Sequence, residues 1–216
     1  MAKIAIILSG CGFQDGSEIH ESVLTMLELD KQGLEYQCMA PSVNQHIVFD
    51  HYQKSEDLSN RQVLSEAARI ARCEILDIKN CNSNEYDGMI FPGGFGAIST
   101  LSSFATDGKN YQIQESVLKF AKEIADKNKP AGFICISPCL IPAIYNEPIE
   151  LTIGSDRETA DKLEQLGCRH SSCDASNIVV DMKSKVVTTP AYMLGKSISE
   201  VAEGIKKLVL QIKMFL

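Results

Sequence analysis

Residues 132–140 read GFICISPCL, and the course of the chain through them decides the fold. The apolar run 131–134 predicts a short strand buried on both faces. Pro138 predicts a helix over 137–145, because proline is tolerated in a first helical turn. Cys135 therefore stands where a strand gives way to a helix. Cys139 lies one helical turn further on, as a packing neighbour or at most a resolving thiol.

The same strand-then-helix alternation extends outward in both directions. Residues 4–8 (IAIIL) form a β-branched run ended by Ser9-Gly10, and 17–31 predict a helix with Ile19, Val23, Leu24, Met26 and Leu27 on its apolar side and Gly33 closing it. A strand over 36–40 stops at Pro41. Residues 42–86 are more polar and read as an insertion, with a strand at 46–49, a helix at 61–72 and a strand at 74–78. Residues 87–91 (DGMIF) predict a strand ended by Pro92-Gly93-Gly94. A helix over 112–128, a strand at 151–153, a helix at 157–166, strands at 178–180 and 185–188, and a helix from Ser197 complete the chain. Strands alternating with helices predict an α/β doubly wound, mostly parallel sheet in a single domain spanning 1–216.

Composition narrows the partners. A net charge of −7 over 216 residues, without a basic run, speaks against nucleic acid and anionic membranes. No apolar stretch approaches the ~20 residues of a membrane span. The run 4–8 before Leu8-Ser9-Gly10-Cys11 mimics a short export signal, but it is below the roughly 7–15 residues such a segment needs. The expected location is the cytosol. The eight cysteines are then expected as reduced thiols.

In doubly wound sheets ligands bind at the carboxyl ends of the strands. Three loops fall there: 9–17, 92–96 and 135–138. Cys135 sits on a turn resembling a nucleophile elbow, where the amides of a following helix would lower a thiol's pKa. The alternative is a small buried hydrophobe, a common fate of free cysteine. Gly93 and Gly94, with the amide of Ile136, are candidate oxyanion-hole donors. Cys11 and Pro138 are further pocket candidates from these loops. Asp15 reads as the N-cap of the first helix, with Glu18 at its third position in a capping pattern. Glu21 lies one turn beyond Glu18 on the same face and is the favoured proton shuttle for the thiol, with Glu18 as the alternative. His20 projects about 100° away from Glu21 and is expected to pack or to act behind the site. The segment GCRHSSC at 167–173 lacks the CxxC spacing of a zinc site, and no metal or cofactor is expected.

Four ordered motifs carry a resemblance: LSGCGFQDGSEIHE at 8–21, FPGGFGA at 91–97, GFICISP at 132–138 and VVTTPAYM at 186–193. With SNRQVLSEAARIAR at 59–72, they resemble the ElbB family (enhancing lycopene biosynthesis protein) of the PfpI-like, class I glutamine amidotransferase-like superfamily. The resemblance implies a flavodoxin-like sandwich, a homodimer, Cys135 as the elbow cysteine, Glu21 as the acid contacting it and Tyr192 near the same pocket. One departure matters. PfpI-like proteases place His directly after the nucleophile and amidotransferases bring one from a later strand, whereas here Ile136 follows Cys135 and 151–154 (LTIG) hold no His. A Cys-His-acid hydrolase and glutamine hydrolysis are therefore disfavoured. The implied activity is a glutathione-independent glyoxalase acting on glyoxal or a related small 2-oxoaldehyde. The alternatives are a non-catalytic or redox-sensing stress protein, or an amidotransferase-like protein linked to isoprenoid metabolism.

Overall fold

The computed structural model describes residues 2–216; Met1, the first residue of the expected domain, lies outside the described residues. β1 (Lys3–Ile7) owes its place to Ile4, Ala5, Ile6 and Ile7, none more than 1% exposed. A strand apolar on both faces belongs in the middle of a covered sheet. α1 (Ile19–Lys31) and β2 (Glu35–Ala40) follow, with β2 parallel to β1. The chain then leaves the sheet for a hairpin of β3 (Phe49–Asp50) and β4 (Ser55–Glu56). α2 (Val63–Ile70) leads back to β5 (Ile75–Asp77), which pairs with β2 as the sheet's edge. The second half of the segment read as an insertion is thus part of the doubly wound pattern.

β6 (Gly88–Phe91) returns to the other side of β1. The short helices α3 (Gly96–Ser99) and α4 (Phe104–Asp107) precede α5 (Glu115–Asp126), and β7 (Ala131–Ile134) pairs with β6. α6 (Ile141–Ile144), β8 (Glu150–Leu151), α7 (Arg157–Gln165) and β9 (Arg169–His170) form a side layer in which β8 and β9 pair only with each other. β10 (Val179–Asp181), β11 (Val186–Thr189) and α8 (Ile198–Phe215) end the chain. The main sheet runs β10-β11-β7-β6-β1-β2-β5, with β10 antiparallel and the other pairings parallel. This is the expected flavodoxin-like α/β architecture. The topology switches between β1 and β6, and a crevice opens above their carboxyl ends.

Two apolar layers cover the sheet. One contains Phe91, Phe133, Phe120 and Ile124; the other contains Leu29, Ile205, Leu208 and Val209. Phe91 and Phe133 are register partners on β6 and β7 and stack at 5.2 Å between ring centres. Burying each such side chain stabilises the fold by about 1.5–3 kcal/mol.

Two elements differ from expectation. The helix predicted over 137–145 is a 3-10 turn (Ser137–Leu140) followed by the single turn of α6. Pro142 lies past the first turn and lacks the amide that the ladder needs there, so a continuous α-helix cannot form. α1 turns only part of its expected apolar side inward: Leu24 and Met26 pack against the core. Ile19, Val23 and Leu27 are 43–47% exposed, while Glu21, Ser22, Thr25 and Glu28 are buried beside Leu29. The polar side chains tolerate burial because each has a partner. Ser22 Oγ donates to the Glu18 carbonyl, Thr25 Oγ1 to the Glu21 carbonyl, and Lys31 Nζ to Glu28.

Candidate active site

Cys135 directly follows β7 with φ at +62°, in the left-handed region that a side chain makes unfavourable by roughly 1–2 kcal/mol. The neighbourhood holds it there. Its amide donates to the Thr189 carbonyl at 2.9 Å. Ser137 Oγ accepts the Ile134 amide at 2.8 Å and donates across to the Phe91 carbonyl at 2.8 Å. One hydroxyl thereby ties the elbow to the end of β6.

The glycine turn after β6 lies against this elbow. A Cβ on Gly93 would fall 2.4 Å from Cys135 Cβ and 2.5 Å from Glu21 Oε2, so Gly93 marks the place where carboxyl and cysteine converge. Gly94, at φ +96°, is pressed just as closely onto the Gly16 carbonyl. The Gly93 amide donates to Glu21 Oε2 at 2.9 Å. The expectation that Gly93 serves an oxyanion hole is corrected accordingly, because its one donor is committed to a buried carboxyl. The amides of Gly94 and Ile136 face the Cys135 sulfur instead.

Glu21 is fully buried at the start of α1, and its second oxygen accepts the Tyr192 amide at 3.3 Å. Burial, reinforced by the nearby charge of Glu18, pushes its carboxyl up to about 8, against the pull of the two amides and of Cys135. Glu18 holds a different post. It is the N-cap of α1 and accepts the Glu21 amide at 2.7 Å. The predicted cap was Asp15. That residue is instead drawn into the 42–62 excursion, where it accepts the Phe49 amide at 2.9 Å.

The Cys135 thiol is raised well above its ordinary value, first by burial and then by the charge of Glu21. The sequence predicts a lowered one. The physical reason for the difference is that no α-helix starts at this elbow and Cys135 is buried, so desolvation outweighs the two amides facing it. Cys139 is fully buried in the opposite apolar layer, and desolvation raises its thiol too. All eight cysteines are free.

Cys135 and Ile136 line an open cavity of about 730 Å³. Glu18, His20, Gly94 and Tyr192 reach it as well. His20 Nδ1 lies 2.8 Å from Tyr192 Oη, which brings an imidazole to the wall that was expected behind the site. Cys11 and Pro138 do not line the cavity. Cys11 packs against the apolar layer that holds Leu29 and Ile205, and Pro138 is buried in the turn after β7. Phe13, Gln14, Phe95, Ile98, Thr159 and Met193 also line it and were not singled out from the sequence, and of 155–157, whose reach to the pocket the sequence leaves open, Asp156 lines it. Phe13 and Phe95 were within reach of sequence reasoning, since both occupy loops at strand carboxyl ends. Asp156 and Thr159 arrive with α7, whose packing the sequence does not announce.

No protein-family model matches the chain. It is 41% identical to the human mitochondrial glutamine amidotransferase-like class 1 domain-containing protein 3, covering 96% of this chain and 81% of that one. It is 38% identical to a mitochondrial ES1 protein homolog from Rattus norvegicus, covering 96% and 82%. Among solved structures, an isoprenoid biosynthesis protein with an amidotransferase-like domain from Ehrlichia chaffeensis superposes with a TM-score of 0.92 at 34% identity, over 99% of this chain and all of that one. A glyoxalase III from Candida albicans shares the fold alone, with a TM-score of 0.61 at 15% identity, over 98% of this chain and 97% of that one. Among the described residues, no helix is long and apolar enough to cross a membrane. At this identity and coverage, the chain belongs to the class I glutamine amidotransferase-like family of the ES1 proteins.

Proposed function

We propose that the protein is a glutathione-independent glyoxalase acting on 2-oxoaldehydes. One observation carries this reading: a buried carboxyl of raised proton affinity lies beside a cysteine that lines a cavity and whose sulfur faces two backbone amides. Cys135, giving up its proton, attacks the aldehyde carbon. A C–S bond forms, and the carbonyl electron pair moves to oxygen, which takes up a proton to give a hemithioacetal. The amides of Gly94 and Ile136 are the donors available to that oxygen. Glu21 moves a proton from the hemithioacetal carbon to the neighbouring carbon through an enediol, leaving a thioester on Cys135. Water cleaves the thioester, releasing the 2-hydroxy acid and restoring the thiol. In sum, R–CO–CHO and water become R–CHOH–COOH, with no external oxidant or reductant. A carboxyl titrating near neutrality suits a proton shuttle.

The test is hydroxy-acid formation from methylglyoxal by wild type and Cys135→Ala. Loss of product in the variant is expected, and wild-type-like turnover by it would sink the mechanism.

We further propose that the chain acts as a homodimer in the cytosol, with the exposed Ile19, Val23 and Leu27 of α1 facing a second copy. The mitochondrial names of the relatives define the rival location, which imaging of a tagged protein decides. Membership of the narrower ElbB branch, and with it a tie to isoprenoid metabolism, is supported by the four motifs and by the name of the Ehrlichia protein.

A further inference from the structure

We propose that the cavity over Cys135 takes a carbonyl compound bearing an apolar group of aromatic size and no anionic group, rather than glyoxal itself. This rests on the reading of Cys135 as the reacting thiol.

The first support is size. At about 730 Å³ the cavity lies within the roughly 300–1,000 Å³ typical of sites for drug-sized ligands. Glyoxal, a two-carbon dialdehyde, would leave most of it to water. The second is the wall. Phe13, Phe95, Ile98, Ile136 and Met193 supply it, and Phe13 and Phe95 remain 54% and 36% exposed at the cavity. Large apolar side chains gathered around a reactive group gain when a ligand covers them. The third is charge. Neither lysine nor arginine lines the cavity, and its charged groups are the carboxylates of Glu18 and Asp156. Both are fixed by capping duties, Glu18 on α1 and Asp156 on α7, where Asp156 accepts from the Glu158 amide and Thr159 Oγ1. An anionic substituent would meet like charge without a counter-ion. The polar side chains left to an uncharged substrate are Gln14 and the His20–Tyr192 pair, which can serve a keto oxygen. The chemistry stays as written above, with an aromatic or branched R group.

The experiment has two arms. The first compares kcat/KM for glyoxal, phenylglyoxal and 4-carboxyphenylglyoxal in wild type, Phe95→Ala and Asp156→Asn. Phenylglyoxal is expected to exceed glyoxal by at least about tenfold, and the carboxylated analogue to lose about that much. Phe95→Ala should shrink the first ratio and Asp156→Asn the second. The second arm uses acetophenone, which lacks the aldehyde, and follows its protection of Cys135 against iodoacetamide. Saturable protection by acetophenone but not by benzoate is expected. Protection without turnover of any aldehyde would remove the glyoxalase reading and leave the ligand class standing. Absent protection, or glyoxal equal to phenylglyoxal, overturns the proposed ligand class while leaving the glyoxalase reading to the turnover itself.

Discussion

Glu21 and Cys135 lie side by side out of water, and each bears on the other's proton. The negative carboxylate raises the thiol, while interaction with the thiol draws the carboxyl down from where burial would put it. Their titrations belong to the pair. Near pH 7 the pair is predominantly a neutral acid beside a neutral thiol, and raising the pH creates the anion from which chemistry starts.

Cys135 alkylation should therefore be slow at pH 7 and climb with pH, with a first inflection near 8. In Glu21→Gln that inflection should vanish and the thiol should titrate lower, because the like charge is gone while burial remains. Iodoacetamide kinetics with peptide mass spectrometry read both effects. An unchanged profile in the variant would show that the two groups are not coupled.

Stability should respond to pH through the same carboxyl. Glu21 binds its proton more tightly in the folded protein, near 8, than at its ordinary value of 4.5. Between those values the folded state holds more protons than the unfolded one, so the contribution of Glu21 falls as pH rises. Its full extent is a few kcal/mol. Denaturant melts at pH 5 and pH 8 should show a larger loss in wild type than in Glu21→Gln.

The glycine turn should not admit a methyl group. In Gly93→Ala the new Cβ meets Cys135 Cβ and Glu21 Oε2 at 2.4–2.5 Å, and the backbone must shift. A loss of roughly 1–3 kcal/mol is expected, with hydroxy-acid formation reduced far more than stability. Melting curves and product assays on one preparation separate the two.

Much of this was legible. Short apolar runs ending in Ser-Gly, Pro-Gly-Gly or Cys-Ile-Ser located β1, β6 and β7, and a doubly wound sheet brings such ends together. The orientation of α1 was legible only in part, because Leu24 and Met26 face the core as expected while the satisfied polar groups at Glu21, Ser22 and Thr25 turn Ile19, Val23 and Leu27 outward. The direction of the Cys135 shift was lost for a similar reason. A strand-turn-helix pattern shows which amides are near but not how completely water is excluded. Phe13 and Phe95 were overlooked because aromatic residues in glycine-rich loops resemble ordinary packing until the cavity joins them.

Tyr192→Phe tests the imidazole side of the cavity. The Tyr192 backbone amide still serves Glu21, so only the hydroxyl contact with His20 is lost. A fall in kcat/KM of about tenfold, near 1.4 kcal/mol, is expected with the alkylation profile of Cys135 unchanged. A shifted profile would assign the hydroxyl to the carboxyl–thiol pair instead.

The outward face of α1 bears on how the chain reaches its native state. A helix whose Ile19, Val23 and Leu27 look outward leaves Leu24, Met26 and Leu29 as its apolar contacts with the sheet layer. Its orientation depends on Glu21 finding the Gly93 and Tyr192 amides, which arrive from segments 72 and 171 residues later in the chain. Until those segments are made, a nascent chain emerging from the ribosome carries a sticky helix with no correct place to rest. The candidate site and this long-range closure then share the same contacts, so a chain in which Glu21 has reached both amides has also brought its carboxyl beside Cys135.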